Sequence, residues 1–283
     1  MGRPDRDLLI GMSLMFPRLD IESAAAALAE FGFQGLEIHL FQIGPGVIDL
    51  PIGEAHAEVA GDAARAAGLF VSTLNAAGAQ GFEPLHDPAT AADELARLLR
   101  LAHAMGAVRL LVWDGRLAAG GDDTSAPETL AECVARGIDR SKLSRPPEVS
   151  VELHPFTFAL QRGLVGEAAA ELQGVGAGIC LDPCHFGVAL GSTFVDHLDQ
   201  AILEAINHVH WADSDCATSE LHFPPGAGVL DLESLAGKLA VVDAAVAWDL
   251  FAWPAPRAAI EAGLPAYRRL VRERRAQQGA AFR

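Results

Sequence analysis

Glu152 and His154 stand two residues apart, as do Glu37 and His39, and His208 and His210, while Asp182 precedes His185 by three. Each pair sits in an apolar stretch, as do Asn75, Trp113, Asp114, Asp213 and Asp249. One carboxylate or imidazole at the end of an apolar strand is ordinarily a hydrogen-bonded structural group, but this many in one chain exceeds that explanation. Side chains alternate along a strand, so each i, i+2 pair shares a face. If the strand ends converge on one mouth, several carboxylates are held together. Their mutual repulsion raises their pKa values unless a cation neutralises it, which one divalent ion does. Carboxylate oxygens with an imidazole suit Mn2+, Mg2+ or Co2+, and also Zn2+ or Fe2+ in an open, hydrated site. Its open positions would polarise a carbonyl or hydroxyl oxygen.

Such convergence requires elements that bring eight strand ends to one side. Apolar runs of five to seven residues alternate with Ala-rich helical stretches, the pattern of a parallel sheet covered by helices. Strands are predicted near 8–13, 35–40, 69–75, 107–113, 148–153, 177–182, 206–211 and 243–250. Helices are predicted near 20–31, 53–67, 88–105, 127–136, 158–173, 195–205, 231–239 and 255–277. Asp20 and Asp87 suit N-caps and Pro88 and Pro127 first turns; Gly32, Gly68, Gly106 and Gly137 suit left-handed stops. Eight units without a linker predict a single α/β domain over 1–283, a closed (β/α)8 TIM barrel. The irregular segments 114–126 and 212–230 follow strands, on the face where barrel enzymes carry out chemistry.

The formal charge of −16 argues against nucleic-acid binding, which needs a basic stripe to displace counterions. A small, sugar-like or chelating substrate fits better. The two lysines, Lys142 and Lys238, lie away from predicted strand ends, which disfavours Schiff-base chemistry. Cys133, Cys180, Cys184 and Cys216 form no CxxC pair and are expected to be reduced. No run of 18 apolar residues or leader-like start occurs, so a cytoplasmic protein with no membrane partner is expected, and a homo-oligomer is compatible. Arg268, Arg269, Arg272, Arg274 and Arg275 are expected on the solvated face of the last helix.

Four stretches, Val149-Ser-Val-Glu-Leu-His-Pro155, Cys180-Leu-Asp-Pro-Cys-His185, His208-Val-His-Trp-Ala-Asp213 and Pro224-Pro-Gly-Ala-Gly-Val-Leu-Asp231, carry a resemblance in this order. They resemble the xylose-isomerase-like barrel superfamily of sugar isomerases, epimerases and related lyases. Weaker echoes are Gly35-Leu-Glu-Ile-His39 and Leu101-Ala-His-Ala-Met-Gly-Ala107. The resemblance implies Glu152, Asp182 and His210 as metal ligands, and Asp249, in the place of the family's usual strand-eight glutamate, as a fourth ligand bound directly or through a water, or else as a structural substitute. It implies His185 as a substrate-side histidine and Glu37 as a substrate-side acid. His39, Asn75, Trp113, His154, Asp213 and Arg257 complete the expected substrate contacts, and Arg116 or Arg257 could meet a phosphate or carboxylate.

The family reading favours an isomerase or epimerase of a ketose or related α-hydroxy carbonyl compound acting through an enediolate. Glu152 and Asp249 would exchange the proton, with His185 stabilising the oxyanion. A lyase of a keto-cyclitol or similar keto compound, with His154 or His39 as acid, is the alternative. A non-catalytic partner subunit is a third. The lysine that xylose isomerases carry near strand five is missing from Glu152-Leu-His-Pro155, and the acidic balance argues against the endonuclease branch.

Overall fold

The computed structural model describes residues 4–43, 52–78, 81–116, 124–218, 220–251 and 253–281, with side chains of the last helix described to 274. Its strands are β1 (Ile10–Met12), β2 (Gly35–His39), β3 (Phe70–Asn75), β4 (Arg109–Trp113), β5 (Glu148–Glu152), β6 (Gly178–Leu181), β7 (Ile206–Trp211) and β8 (Ala245–Trp248). All pair in parallel in chain order, and β8 returns to β1 through Ile10 opposite Ala247, which closes the (β/α)8 barrel.

Outside it lie α1 (Ile21–Glu30), α2 (Glu54–Ala66), α3 (Pro88–Met105), α4 (Ala126–Ser141), α5 (Phe158–Arg162), α6 (Val165–Gly174), α7 (Pro183–Leu190), α8 (Gln200–Ala205), α9 (Leu232–Leu239) and α10 (Pro256–Ala281). Among the described residues no helix is long and apolar enough to cross a membrane.

Local chemistry sets most boundaries. Asp20 and Asp87 accept from the Ser23 and Thr90 amides at 2.8 and 3.1 Å, and Gly106 ends α3 at φ +81°. Gly137 departs from expectation. It lies inside α4, where a Cβ would come within 2.5 Å of Leu95 Cδ2; glycine there permits close α3–α4 packing, and Lys142 at φ +57° follows the helix end. The stretch after β6, for which the sequence predicts no element, forms α7 because Asp182 caps it and Pro183 begins it. Gly163, at φ +70°, divides the helix predicted over 158–173. Residues 117–123 of the predicted loop 114–126 lie outside the described residues.

Beneath the barrel, Arg109 and Asp5 are fully buried and paired at 2.9 Å. Ser72 Oγ donates to the same carboxylate at 2.6 Å, and Glu148 receives the other arm of Arg109 at 3.2 Å. Asp5→Ala is expected to cost about 3–5 kcal/mol in chemical denaturation, because it strands a buried guanidinium. At the closure, the Tyr267 hydroxyl donates to Val246 O at 2.6 Å and accepts from Ile10 N at 3.2 Å, fixing β8 just ahead of Asp249. Arg274 corrects the solvated-face expectation: it is 1% exposed and donates to Val242 O and Ala244 O, serving the turn before β8. Arg268 donates to Phe31 O, and the side chain of Arg275 lies outside the described residues.

Candidate metal centre and its cavity

At the C-terminal ends of the strands, His210 Nδ1 lies 2.9 Å from Glu152 Oε1, 3.4 Å from Asp182 Oδ2 and 3.8 Å from Asp249 Oδ2. Ligating atoms of Glu152, Asp182 and His210 all fall within 4.8 Å of one another. Each is aimed by a local device. Asp182 Oδ1 accepts from the Cys184 and His185 amides at the start of α7, at 2.7 and 3.3 Å, so Oδ2 turns inward without a hydrogen-bond partner. His210 Nε2 donates to Glu37 Oε1 at 3.0 Å, which fixes the ring with Nδ1 toward the cluster.

Glu37 itself is fully buried below that ring, held also by His208 at 2.6 Å and Asn75 at 2.7 Å. The expectation that Glu37 touches substrate is therefore corrected. It points inward one layer deeper than His39, and does not line the cavity.

The strand-eight departure is compensated by a residue that sequence reasoning missed. His222, from the loop after β7, places Nδ1 2.7 Å from Asp249 Oδ2 and Nε2 3.7 Å from Asp182 Oδ2. The Phe251 amide donates to Asp249 Oδ1 at 2.7 Å, leaving Oδ2 for His222. His222 lies in no predicted strand, and its only sequence signal is its closeness to Pro224-Pro-Gly.

Asp213 is the reason that loop can aim a histidine inward. It was expected to bind substrate, but its oxygens accept from the amides of Ser214, Gly226, Gly228 and Leu230 at 2.8–3.1 Å. Its backbone pairs with Phe223. A Cβ on Gly228 would stand 2.3 Å from Asp213 Oδ1. Gly228→Ala is expected to destabilise the chain by about 1–3 kcal/mol, read as a lowered melting temperature, because the loop must open.

Around the cluster is a cavity of about 390 Å3 lined on its polar side by His39, Glu152, His154, His185, Glu220 and Asp249, besides His210, His222 and Asn75. His154 Nε2 is 3.2 Å from Glu152 Oε2, and its ring lies 4.0 Å from that of His185. Trp113 lines the wall as expected, with Phe156 beside it. The guanidinium of Arg116 sits over both rings, at 5.0 and 5.5 Å. Arg257 does not reach the cavity; it lies 3.4 Å from Glu30 and over Phe16 and Phe31. Asp114 is also structural: its Oδ2 accepts from Ala159 N at 2.9 Å, and burial pushes its pKa up to about 7.

The electrostatics fit a missing positive charge. Burial disfavours ionisation, yet the neighbouring imidazoles hold Glu37, Glu152 and Asp182 below the usual carboxylate range. Burial alone would also lower His210 and His222, but the surrounding acids raise both, His222 to about 10. Protons on these imidazoles thus balance the carboxylates. His185 goes the other way, pushed down to about 3 by burial; it is neutral, with no hydrogen bond at either nitrogen and Nδ1 3.6 Å from Glu152 Oε1. The donor set and the unpartnered Asp182 Oδ2 fit a divalent ion held by Glu152, Asp182 and His210, with Asp249 and His222 adjoining. Metal uptake at pH 7 is expected to release at least one proton, seen as calorimetric heats that change with the ionisation enthalpy of the buffer.

The chain is thus a closed (β/α)8 barrel whose strand ends gather a cluster that could hold a metal ion. The family model described as xylose isomerase-like TIM barrel matches residues 25–268, and the chain belongs to that family. Among solved structures it is similar to a putative xylose isomerase from Rhodospirillum rubrum, at 18% identity and TM-score 0.70, over 95% of this chain and 98% of that one. It is also similar to the IOLI protein with a bound zinc atom, at 14% identity and TM-score 0.63, over 96% of both chains. A third is a fusion of a xylose isomerase-like barrel with 4-hydroxyphenylpyruvate dioxygenase, at 16% identity and TM-score 0.64; the match takes in 90% of this chain but 41% of that longer one. At these identities the structural likeness shows the fold. A sequence comparison with curated proteins gives no match.

Proposed function

We propose that the chain is a divalent-metal-dependent isomerase or epimerase of a small α-hydroxy carbonyl compound of the ketose type. The carrying observation is that two groups able to exchange protons, the Glu152 carboxylate and the His222–Asp249 pair, flank His210 from different elements in one cavity. Glu152, Asp182 and His210 would hold the ion, with Asp249 or His222 beside it. The extra imidazole tips the donor set away from Mg2+ toward Mn2+, Co2+, Zn2+ or Fe2+. When bound, the ion would act as a Lewis acid on the carbonyl and adjacent hydroxyl oxygens, acidifying the C–H between them.

The side chains divide the remaining work. Glu152, linked to His154, takes a proton from one face, and protonated His222, oriented by Asp249, delivers its own proton to the other, both groups then resetting by exchange with water. Neutral His185, whose ring nitrogens have no hydrogen-bond partner, donates a hydrogen bond to the developing oxyanion. Isomerisation and epimerisation differ in the carbon to which the proton returns.

One observation favours a second reading, a lyase that expels a β-hydroxyl from a keto-cyclitol or similar compound. Burial opposes charge on His154, but Glu152, Asp114 and Glu220 together raise its pKa, which favours the protonated form of an imidazole at the cavity wall. Heavy-water incubation of the metal-loaded protein with ketoses, keto-cyclitols and hydroxy-ketoacids tests both. Deuterium beside the carbonyl with a new isomer supports the first reading, and a new conjugated enone absorbance supports the second. Neither label nor product across several metals would overturn both in favour of a non-catalytic binding subunit.

A further inference from the structure

The walls of the cavity contrast with its metal-side cluster. Phe41, Trp113, Phe156 and Phe251, with Met12, Leu14, Ala77 and Gly78, make up the rest of the described lining. They surround the polar cluster from separate elements: Phe41 beside His39 at 4.6 Å, Phe156 beside His154 at 4.9 Å and Phe251 beside His222 at 6.2 Å between ring centroids. Three of the polar side chains set among these walls already have partners. Asn75 donates to Glu37 and accepts from Ala77 N at 3.0 Å, Trp113 Nε1 donates to Phe82 O at 2.8 Å, and His39 Nδ1 accepts from Phe41 N at 3.3 Å. Among the described residues no Lys, Arg, Ser, Thr, Tyr or Gln lines the cavity.

An open-chain polyol carries a hydroxyl on nearly every carbon, and each one buried without a partner costs about 1–3 kcal/mol. A ring whose faces are C–H and whose oxygens gather at one edge has no such penalty. Its faces would gain contact with the aromatic walls, and its oxygenated edge would meet the cluster. A volume of about 390 Å3 suits one such small ring. Phe41 fits the same account, since it is 68% exposed at the rim, where burial offers no reason for a large apolar side chain.

Resting on the metal-centre reading above, we infer that the site selects a compact cyclic compound with adjacent oxo and hydroxyl groups on one edge and little other oxygenation, in preference to an open-chain sugar. The aromatic walls are its specificity determinants.

The test uses two chelators that grip a metal ion through adjacent oxygens. Maltol is a flat ring and acetohydroxamate has none. Both are titrated into the zinc-loaded full chain, with zinc retention checked by elemental analysis, for the wild type and for Phe41→Ser and Phe156→Ser. The expected result is that each substitution weakens maltol about tenfold or more while acetohydroxamate and zinc affinity change less than about twofold. Unchanged maltol affinity, or an equal fall for both chelators, overturns the ring inference and leaves the metal centre standing. A wild-type chain that takes up neither zinc nor acetohydroxamate overturns the metal centre and the inference with it.

Discussion

Asp182→Asn is expected to lower divalent-metal affinity by more than about a hundredfold, measured by calorimetric titration of the metal-free chain. Replacement of a group that only supports a ligand already costs about 10–100-fold, and Asp182 offers a charged oxygen directly. Its Oδ2 faces Glu152 and His210 with no other hydrogen-bond partner, while Oδ1 is occupied by the α7 amides. The asparagine can still cap α7 through its carbonyl oxygen, so the fold survives and the loss reads on the site. Glu37→Gln should fall in the lower, 10–100-fold range, because Glu37 acts through His210 Nε2. Metal affinity retained in Asp182→Asn would remove this residue from the centre.

The second large effect concerns the histidine that joins Asp249 to the cluster. His222→Ala should slow deuterium exchange into substrate by about 10²–10⁴-fold at saturating metal, the range for loss of a positioned acid–base group. Asp249→Asn should act in the same direction and by a similar factor. It removes the carboxylate that holds His222 at 2.7 Å, and the two substitutions combined should cost little more than either alone. Strict additivity would mean that the two residues act separately. Unchanged exchange in His222→Ala, with metal saturation verified, would leave Glu152 as the sole proton carrier among the described residues.

The barrel was legible because its signals are local and repeated. Apolar runs marked the strands, and caps such as Asp87-Pro88 marked helices to within a few residues. The three central ligand candidates were legible for a related reason, since a carboxylate or imidazole in a parallel strand is conspicuous against its neighbours. Depth was not legible. Glu37 and His39 share a face and a residue type that suits chemistry, yet one supports His210 from beneath and the other lines the cavity.

Loop geometry was hidden as well. Asp213 reads as a substrate group in His208-Val-His-Trp-Ala-Asp213, but four amides from 214 to 230 consume its acceptors. That fold depends on a glycine at 228 and carries His222 inward from a segment with no periodicity. Gly137 shows the same limit in the helical layer. A glycine that allows close packing and one that stops a helix are the same letter until the facing residue, here Leu95, is known.

Anomalous diffraction from crystals grown with Mn2+ tests the metal centre most directly. One strong peak per chain is expected at the C-terminal ends of the strands, within bonding distance of Glu152, Asp182 and His210 and adjoining Asp249 and His222. A chain that takes up Mn2+ elsewhere, with these five side chains bonded only to one another, would contradict it.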